Sequence, residues 1–181
     1  MQTAYIALGS NLGDRLAWLQ RAAADLRKID PHLRCSPVYE GMAHTLHPGD
    51  ESPDFLNAVV EVHTNLETED LLVFCQTIEQ KANRRRSIPY APRTLDLDIL
   101  TLGQVTCNTD RIILPHPRLQ ERRFVLQPWY DLAPQSYIPS PVGTTVAVAM
   151  DQCTDDAPLF KMPWGLLRAD EGSLLSIPAA R

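Results

Sequence analysis

The sequence predicts an α+β fold, and three observations predict it. Four strand-like and two helix-like stretches follow one another as β-α-β-β-α-β. Stretches rich in Gly, Pro and polar residues interrupt them. At 181 residues the chain is long enough for one well-filled core and short for two.

Each element has its own signal. AYIALG, residues 4–9, is an apolar run ending in glycine and predicts a strand. Leu16, Leu19, Ala23, Leu26 and Ile29 recur at helical spacing and predict an amphipathic helix over 14–29. A strand is expected near 33–40, followed by GMAHTLHPGDESP, a long loop by composition. FLNAVVEVHT, 55–64, predicts a strand. Leu71, Phe74, Cys75, Ile78 and Ala82 then mark a second helix over 67–83, with Glu67, Glu69 and Asp70 in the first turn, where the helix dipole favours acids. RRRSIPYAP breaks that helix and DLDILTLG is the fourth strand. This order is that of a ferredoxin-like βαββαβ antiparallel sheet sandwich with helices on one side. A short strand pair, LPHPRLQERRF and a helix around 123–133 are extra C-terminal elements. One domain is expected over 1–152. The extension over 153–181, with Phe160, Met162, Trp164 and Leu166, packs on it in part or trails from it.

The bulk numbers exclude several classes. A composition of 44% hydrophobic and 22% charged residues is that of a globular protein. No run approaches the roughly 20 apolar residues that span a bilayer, and the N-terminal stretch lacks a signal-peptide pattern, so neither a membrane nor a secreted protein is expected and the cytoplasm is the default location. Cys35, Cys75, Cys107 and Cys153 show no CxxC spacing, which suits reduced thiols. A net charge of −5 argues against nucleic-acid binding. Local charge runs the other way, with arginines at Arg84, Arg85, Arg86 and Arg93, then Arg122 and Arg123. Arginine is suited to holding phosphate in a fixed geometry.

PRTLDLDIL, 92–100, carries the most chemistry. Alternation in a strand puts Asp96 and Asp98 on one face and Leu95, Leu97 and Ile99 on the other. Two neighbouring carboxylates repel and raise each other's pKa unless a metal ion, an arginine or a proton lies between them. One reading is a Mg²⁺ site, with hard oxygen ligands for a cation that takes the rest of its shell from water and substrate phosphates. The other is a solvated sheet edge. Arg84, Arg86 and Arg93 flank the pair in sequence, as a metal-bound polyphosphate demands. His116, held between Pro115 and Pro117, is placed to donate to a phosphate oxygen. His44 and His47 have HxxH spacing but no third ligand in view. GSNLGD, 9–14, opens a helix after a strand, yet it lacks the lysine and Ser/Thr of a P-loop.

Five stretches in order, AYIALGSNLGDR, SPDFLNAVVEV, IEQKANRRR, PRTLDLDILTLG and LPHPRLQERRFVLQPWYDLAP, closely resemble the 6-hydroxymethyl-7,8-dihydropterin pyrophosphokinase family of folate biosynthesis. The resemblance covers about 4–150. It implies transfer of pyrophosphate from ATP to the hydroxymethyl oxygen of the dihydropterin, with release of AMP. It further implies two Mg²⁺ ions held by Asp96 and Asp98, with Arg84 and Arg93 as catalytic phosphate-gripping residues. Arg86, Arg122 and His116 would also meet the nucleotide phosphates, and Gln76, Glu79, Ile99 and Arg111 would line the ATP site. For the pterin, Asn57 would read the polar edge, Phe55 and Phe124 would sandwich the ring, and Gly41 and Tyr90 would complete the pocket. Such a pairing makes physical sense, since an aromatic clamp stacks a planar heterocycle and an amide matches its donor and acceptor edge.

Two stretches depart from the family pattern: YEGMAHTLHPGDESP is long, and RSIPYAP has Pro89, Tyr90 and Ala91 where other residues are common. ATP and the pterin are the expected partners, and a monomer is expected, with a dimer as the alternative. The rival readings are another Mg²⁺-dependent nucleotide transferase and a nucleotide- or pterin-binding module without turnover. Phe55, Asn57 and Phe124 have no use in the first, and the intact aspartate pair argues against the second.

Overall fold

β1 (Gln2–Ser10) is an inner strand of the main sheet, one place from its edge, in the computed structural model, which describes residues 1–42, 53–82 and 94–167. Asp14 caps α1 (Arg15–Leu26) by accepting from the Ala17 N–H at 3.1 Å. The helix buries Leu19, Ala22, Ala23 and Leu26 and ends three residues short of the expected Ile29. There, tighter bonds from Lys28 N to Asp25 O and Ile29 N to Leu26 O close the last turn.

The expected strand at 33–40 is broken into β2 (Arg34–Cys35) and β3 (Pro37–Gly41) at Ser36. The side chain of Ser36 accepts the Val59 N–H and donates to the Pro37 carbonyl, so a hydroxyl stands in for part of the ladder before a residue with no N–H. β4 (Phe55–Thr64), α2 (Thr68–Lys81) and β5 (Asp96–Leu102) follow. Next come the β6–β7 pair (Cys107–Asn108, Ile113–Leu114), α3 (Arg123–Leu132), the β8–β9 pair (Tyr137–Ile138, Thr144–Thr145), α4 (Val146–Asp151) and β10 (Leu159–Gly165).

The main sheet is antiparallel throughout, in the order β5-β1-β4-β3-β10, with β2 also paired to β4. Adjacent residues of a strand serve opposite faces. Ile6, Leu8, Leu56, Ala58, Val60, Leu97 and Ile99 pack with α1 and α2 in one core. Tyr5, Val59 and Leu100 pack with Val125, Leu126 and Trp129 of α3 and Val146 and Ala149 of α4 in a second. Helices therefore cover both faces, whereas the sequence pattern placed them on one. The reason is the apolar stripe of α3, which buries Trp129 completely against Tyr5 with ring centroids 4.9 Å apart.

β5 keeps its alternation only as far as Leu100. The pairing with β1 shifts between Tyr5 and Ile6, so that Leu100 has no partner of its own there and Leu102, opposite Ala4, returns to the first core two residues after Leu100 has served the second. β10, inside the extension, adds an outer strand on β3. His44, His47, Arg84, Arg86, Tyr90, Arg93 and the stretch 168–181 lie outside the described residues.

Candidate active site

The second core fills only part of its face. Beyond Val59 and Leu100 the same face continues as Ala7, Gly9, Phe55, Asn57, Asp96 and Asp98. Register sets their neighbours: Gly9 stands between Asn57 of β4 and Asp96 of β5, and Ala7 stands between Val59 and Asp98. The two smallest side chains of β1 thus form a bare floor, with a polar amide on one bank and two carboxylates on the other. A Cβ on Gly9 would lie 3.6 Å from Asn57 Oδ1, 3.7 Å from Phe55 Cδ1 and 4.0 Å from the Asp96 Cβ. All three are reached from one Cα, which shows how closely the two banks approach.

On the carboxylate bank, basic side chains come from the stretch after β7. Arg122 donates to Asp98 Oδ2 from 3.3 Å, and His116 Nε2 lies 3.8 Å from the same oxygen. The His116 ring is mostly covered, and burial pulls its pKa below the usual histidine value, with the Asp98 carboxylate opposing that shift and Arg122 and Arg118 adding to it. A ring kept neutral has one N–H. Because Nδ1 accepts the Arg118 N–H at 3.3 Å, that proton sits on Nε2, the nitrogen aimed at Asp98. The backbone N–H of His116 is tied to the Leu100 carbonyl at 2.9 Å, so the ring is carried by β5 itself.

On the amide bank, Asn57 is 6% exposed and its Nδ2 donates to the Phe55 carbonyl at a long 3.4 Å. Tyr39 and Gly41 of β3 stand in register with Asn57 and Phe55. Tyr39 donates to Asp131 of α3 at 2.7 Å, and Lys161 of β10 donates to the same carboxylate at 2.9 Å. Phe124, in the first turn of α3, packs at the margin of the second core with the Arg122 guanidinium 5.8 Å from its ring centre. Arg122 thereby meets both Phe124 and Asp98.

The remaining sequence candidates are dispersed. Glu79 is 4% exposed and accepts the Leu97 N–H at 2.8 Å, fixing the end of α2 to β5, and Gln76 lies one turn earlier, half-buried. Ile99 faces the first core. Arg111 pairs with Glu69 in the first turn of α2 at 2.6 Å. Sequence reasoning passed over Ser10, Asn11 and Arg15, whose partners lie at both banks. Their only sequence signal is the GSNLGDR stretch, which reads as a failed phosphate loop until the partners are seen. Among the described residues no three His, Cys, Asp or Glu side chains converge as a metal group, and no helix is long and apolar enough to cross a membrane.

An antiparallel sheet layered by helices, ending in paired carboxylates beneath basic side chains, is an α+β arrangement suited to handling phosphate. Comparison with known proteins narrows that class. A solved structure of Plasmodium falciparum HPPK-DHPS shares the fold with a TM-score of 0.61 at 14% identity, covering 83% of this chain, which spans 44% of that longer one. Two curated relatives carry the name 2-amino-4-hydroxy-6-hydroxymethyldihydropteridine pyrophosphokinase. The Bacillus subtilis protein is 40% identical over 141 residues (73% of this chain and 78% of the relative). Its Pseudomonas aeruginosa counterpart is 42% identical over 142 residues (77% and 85%). Residues 5–134 match the model of the 7,8-dihydro-6-hydroxymethylpterin-pyrophosphokinase (HPPK) family, and the chain belongs to that family.

Proposed function

We infer that this chain transfers the pyrophosphoryl group of ATP to the hydroxymethyl oxygen of 6-hydroxymethyl-7,8-dihydropterin, releasing AMP, as a step of folate synthesis. The observation that carries the site assignment is the row Asn57, Gly9, Asp96, which sets an amide and the Phe55 ring beside the carboxylate pair across a glycine floor. In the reaction a bond forms between the hydroxymethyl oxygen and the β-phosphorus while the bond from that phosphorus to the α-bridging oxygen breaks. The adenylate leaves with the electron pair.

Asp96 and Asp98 suit Mg²⁺: two hard oxygen donors on one face, with Asp98 a third exposed and no further protein ligand demanded of a cation that fills its shell with water and phosphate. Bound there, two such ions would supply neutralisation of the triphosphate and of the leaving adenylate. His116 offers Nε2–H to a phosphate oxygen, and Arg122 exchanges its Asp98 contact for the same task. Arg84, Arg86 and Arg93 are assigned to phosphates from their positions in the family-like stretches. Gln76, Glu79, Ile99 and Arg111 are assigned to the nucleotide side on the same ground. Phe55 and Phe124 stack the pterin, Asn57 pairs with its amide-like edge, and Gly41 and Tyr90 close the pocket. Holding both reactants in line accounts for most of the acceleration.

The strand order β5-β1-β4-β3, with helical crossovers after β1 and β4, supports reading the sheet as ferredoxin-like. We read 1–152 as the catalytic domain and the remainder as an extension held by β10. The protein acts as a monomer in the cytoplasm. Incubation of the purified protein with Mg-ATP and the dihydropterin should yield AMP and the pterin diphosphate in equal amounts. ATP binding without AMP would leave a binding module, and release of free pyrophosphate with an adenylylated product would point to a nucleotidyl transferase.

A further inference from the structure

Gly9 aside, the GSNLGDR stretch, 9–15, is left without a task by the assignments above, yet its side chains bond to the backbone next to both banks of the floor. Ser10, fully buried, donates from Oγ to the Thr94 carbonyl at 2.6 Å, and Thr94 in turn donates to the Ala82 carbonyl at 2.5 Å. Thr94 stands two residues before Asp96, and Ala82 caps the C-terminus of α2. This arm therefore fixes where β5 begins, and with it the carboxylate pair.

The other arm points the opposite way. Asn11, 1% exposed, donates from Nδ2 to the Pro53 carbonyl at 3.2 Å. Arg15 donates from Nη1 to the Asp54 carbonyl at 2.6 Å, and its Nη2 pairs with Glu40 Oε1 at 2.7 Å. Glu40 directly precedes Gly41, and Asp54 directly precedes Phe55, the two residues that face each other in register at the amide bank. One guanidinium thus spans the end of β3 and the start of β4, using the planar fork that lysine lacks.

We propose that GSNLGDR is a positioning element with two separable arms. Ser10 places the carboxylate bank for nucleotide and metal, and Arg15 with Asn11 places the Phe55 and Gly41 bank for the pterin. The proposal rests on the reading that ATP and pterin occupy those banks. None of the three residues touches a reacting atom. Their effect passes through the backbone of Thr94 on one side and of Pro53, Asp54 and Glu40 on the other.

The test compares Ser10→Ala with Arg15→Met in the full-length protein, measuring KM for Mg-ATP and for the dihydropterin separately, alongside thermal melting. Ser10→Ala should raise the ATP KM by several-fold, up to about tenfold, and leave the pterin KM in place. Arg15→Met should do the reverse. Glu40→Gln removes the same ion pair without altering the motif and should reproduce the Arg15→Met split, while Arg15→Lys, keeping charge but not the fork, should recover part of it. A fall in melting temperature with both KM values unmoved, or moved equally, in all four variants would reduce the stretch to a structural turn and overturn the proposal. Absence of AMP production by the unaltered enzyme would instead sink the functional reading, so the two failures are distinct.

Discussion

The two faces of the sheet are built from the same strands and serve different ends. Toward α1 and α2 the strands contribute Ala4, Ile6, Leu8, Leu56, Ala58, Val60 and Val62, and the core they form is continuous and apolar. Toward α3 and α4 the apolar filling stops at Val59 and Leu100, and Asn57, Gly9, Asp96 and Asp98 take over the rest of the face. Polar groups concentrate on that second face. Tyr5 donates to Glu61 at 2.9 Å and accepts from the Ser136 hydroxyl, while Arg34 reaches Glu61 and the Leu132 carbonyl. Burial pushes the Tyr5 hydroxyl up to about 12, so it stays a donor at any working pH. One face therefore supplies stability and the other trades apolar area for a site, with Tyr5, Glu61, Ser136 and Arg34 joined by hydrogen bonds on it.

That contrast can be broken at four places. Asp98→Ala should lower kcat by about a thousandfold while melting stays near that of the unaltered protein, because the residue faces the site rather than a core. Steady-state kinetics with a circular-dichroism melt checks it, and retained turnover would remove the metal assignment. Leu19→Ala, at a fully buried position on the other face, should cost about 2–5 kcal/mol in denaturant unfolding with the activity of the folded fraction unchanged. Phe124→Ala should weaken pterin binding by roughly tenfold, in keeping with the loss of one stacking partner, and leave nucleotide binding alone. Calorimetric titration with each ligand separates the cases, and equal losses would move Phe124 out of the pterin pocket.

The smallest effect concerns the rim. Burial alone would raise the Asp131 pKa, but hydrogen bonds from Lys161 and Tyr39 outweigh it and hold the group below the ordinary carboxylate value. A depressed folded pKa contributes stability above the unfolded value and loses it as pH falls through the folded one. Asp131→Asn should thus melt lower at neutral pH by about 1 kcal/mol. Its deficit should shrink on acidification through the carboxylate range, around pH 4 and below. A deficit constant with pH would assign the loss to packing.

Legibility in the sequence tracked the range of the interactions. Period-two and period-3.6 patterns are local, and β1, α1, β4, α2, β5 and α3 all lie where those patterns put them, within a few residues. Asp96 and Asp98 share a face for the same local reason. The facing of Leu102 escaped, because a shift in pairing with Tyr5 and Ile6 is a property of two strands and leaves no mark on one. β10 escaped as a strand: its apolar residues suggested only that the extension packs in part on the body, and Gly41 and Tyr39 emerge as its partners only in the fold. The coverage of the second face depended on α3, whose stripe is visible in sequence but whose target is not. At the site, His116 and Arg122 reach Asp98 from the stretch after β7, a pairing no spacing encodes, and the contacts of Ser10 and Arg15 span 84 and 39 residues with as little local signal.

β10 also decides what the sheet cannot do. An outermost strand offers its free backbone groups to any extended chain that drifts past, and long flat apolar ones seed fibres. Here the strand is short, carries Lys161 and is interrupted by Pro163, which has no N–H to offer, and its pairing with β3 slips between Lys161 and Gly165. Phe160 and Trp164 stay exposed on it without making the border a template. The molecule thus closes its own edge with a strand that is a poor host for the next, and a second copy drifting against that border finds no regular ladder to extend.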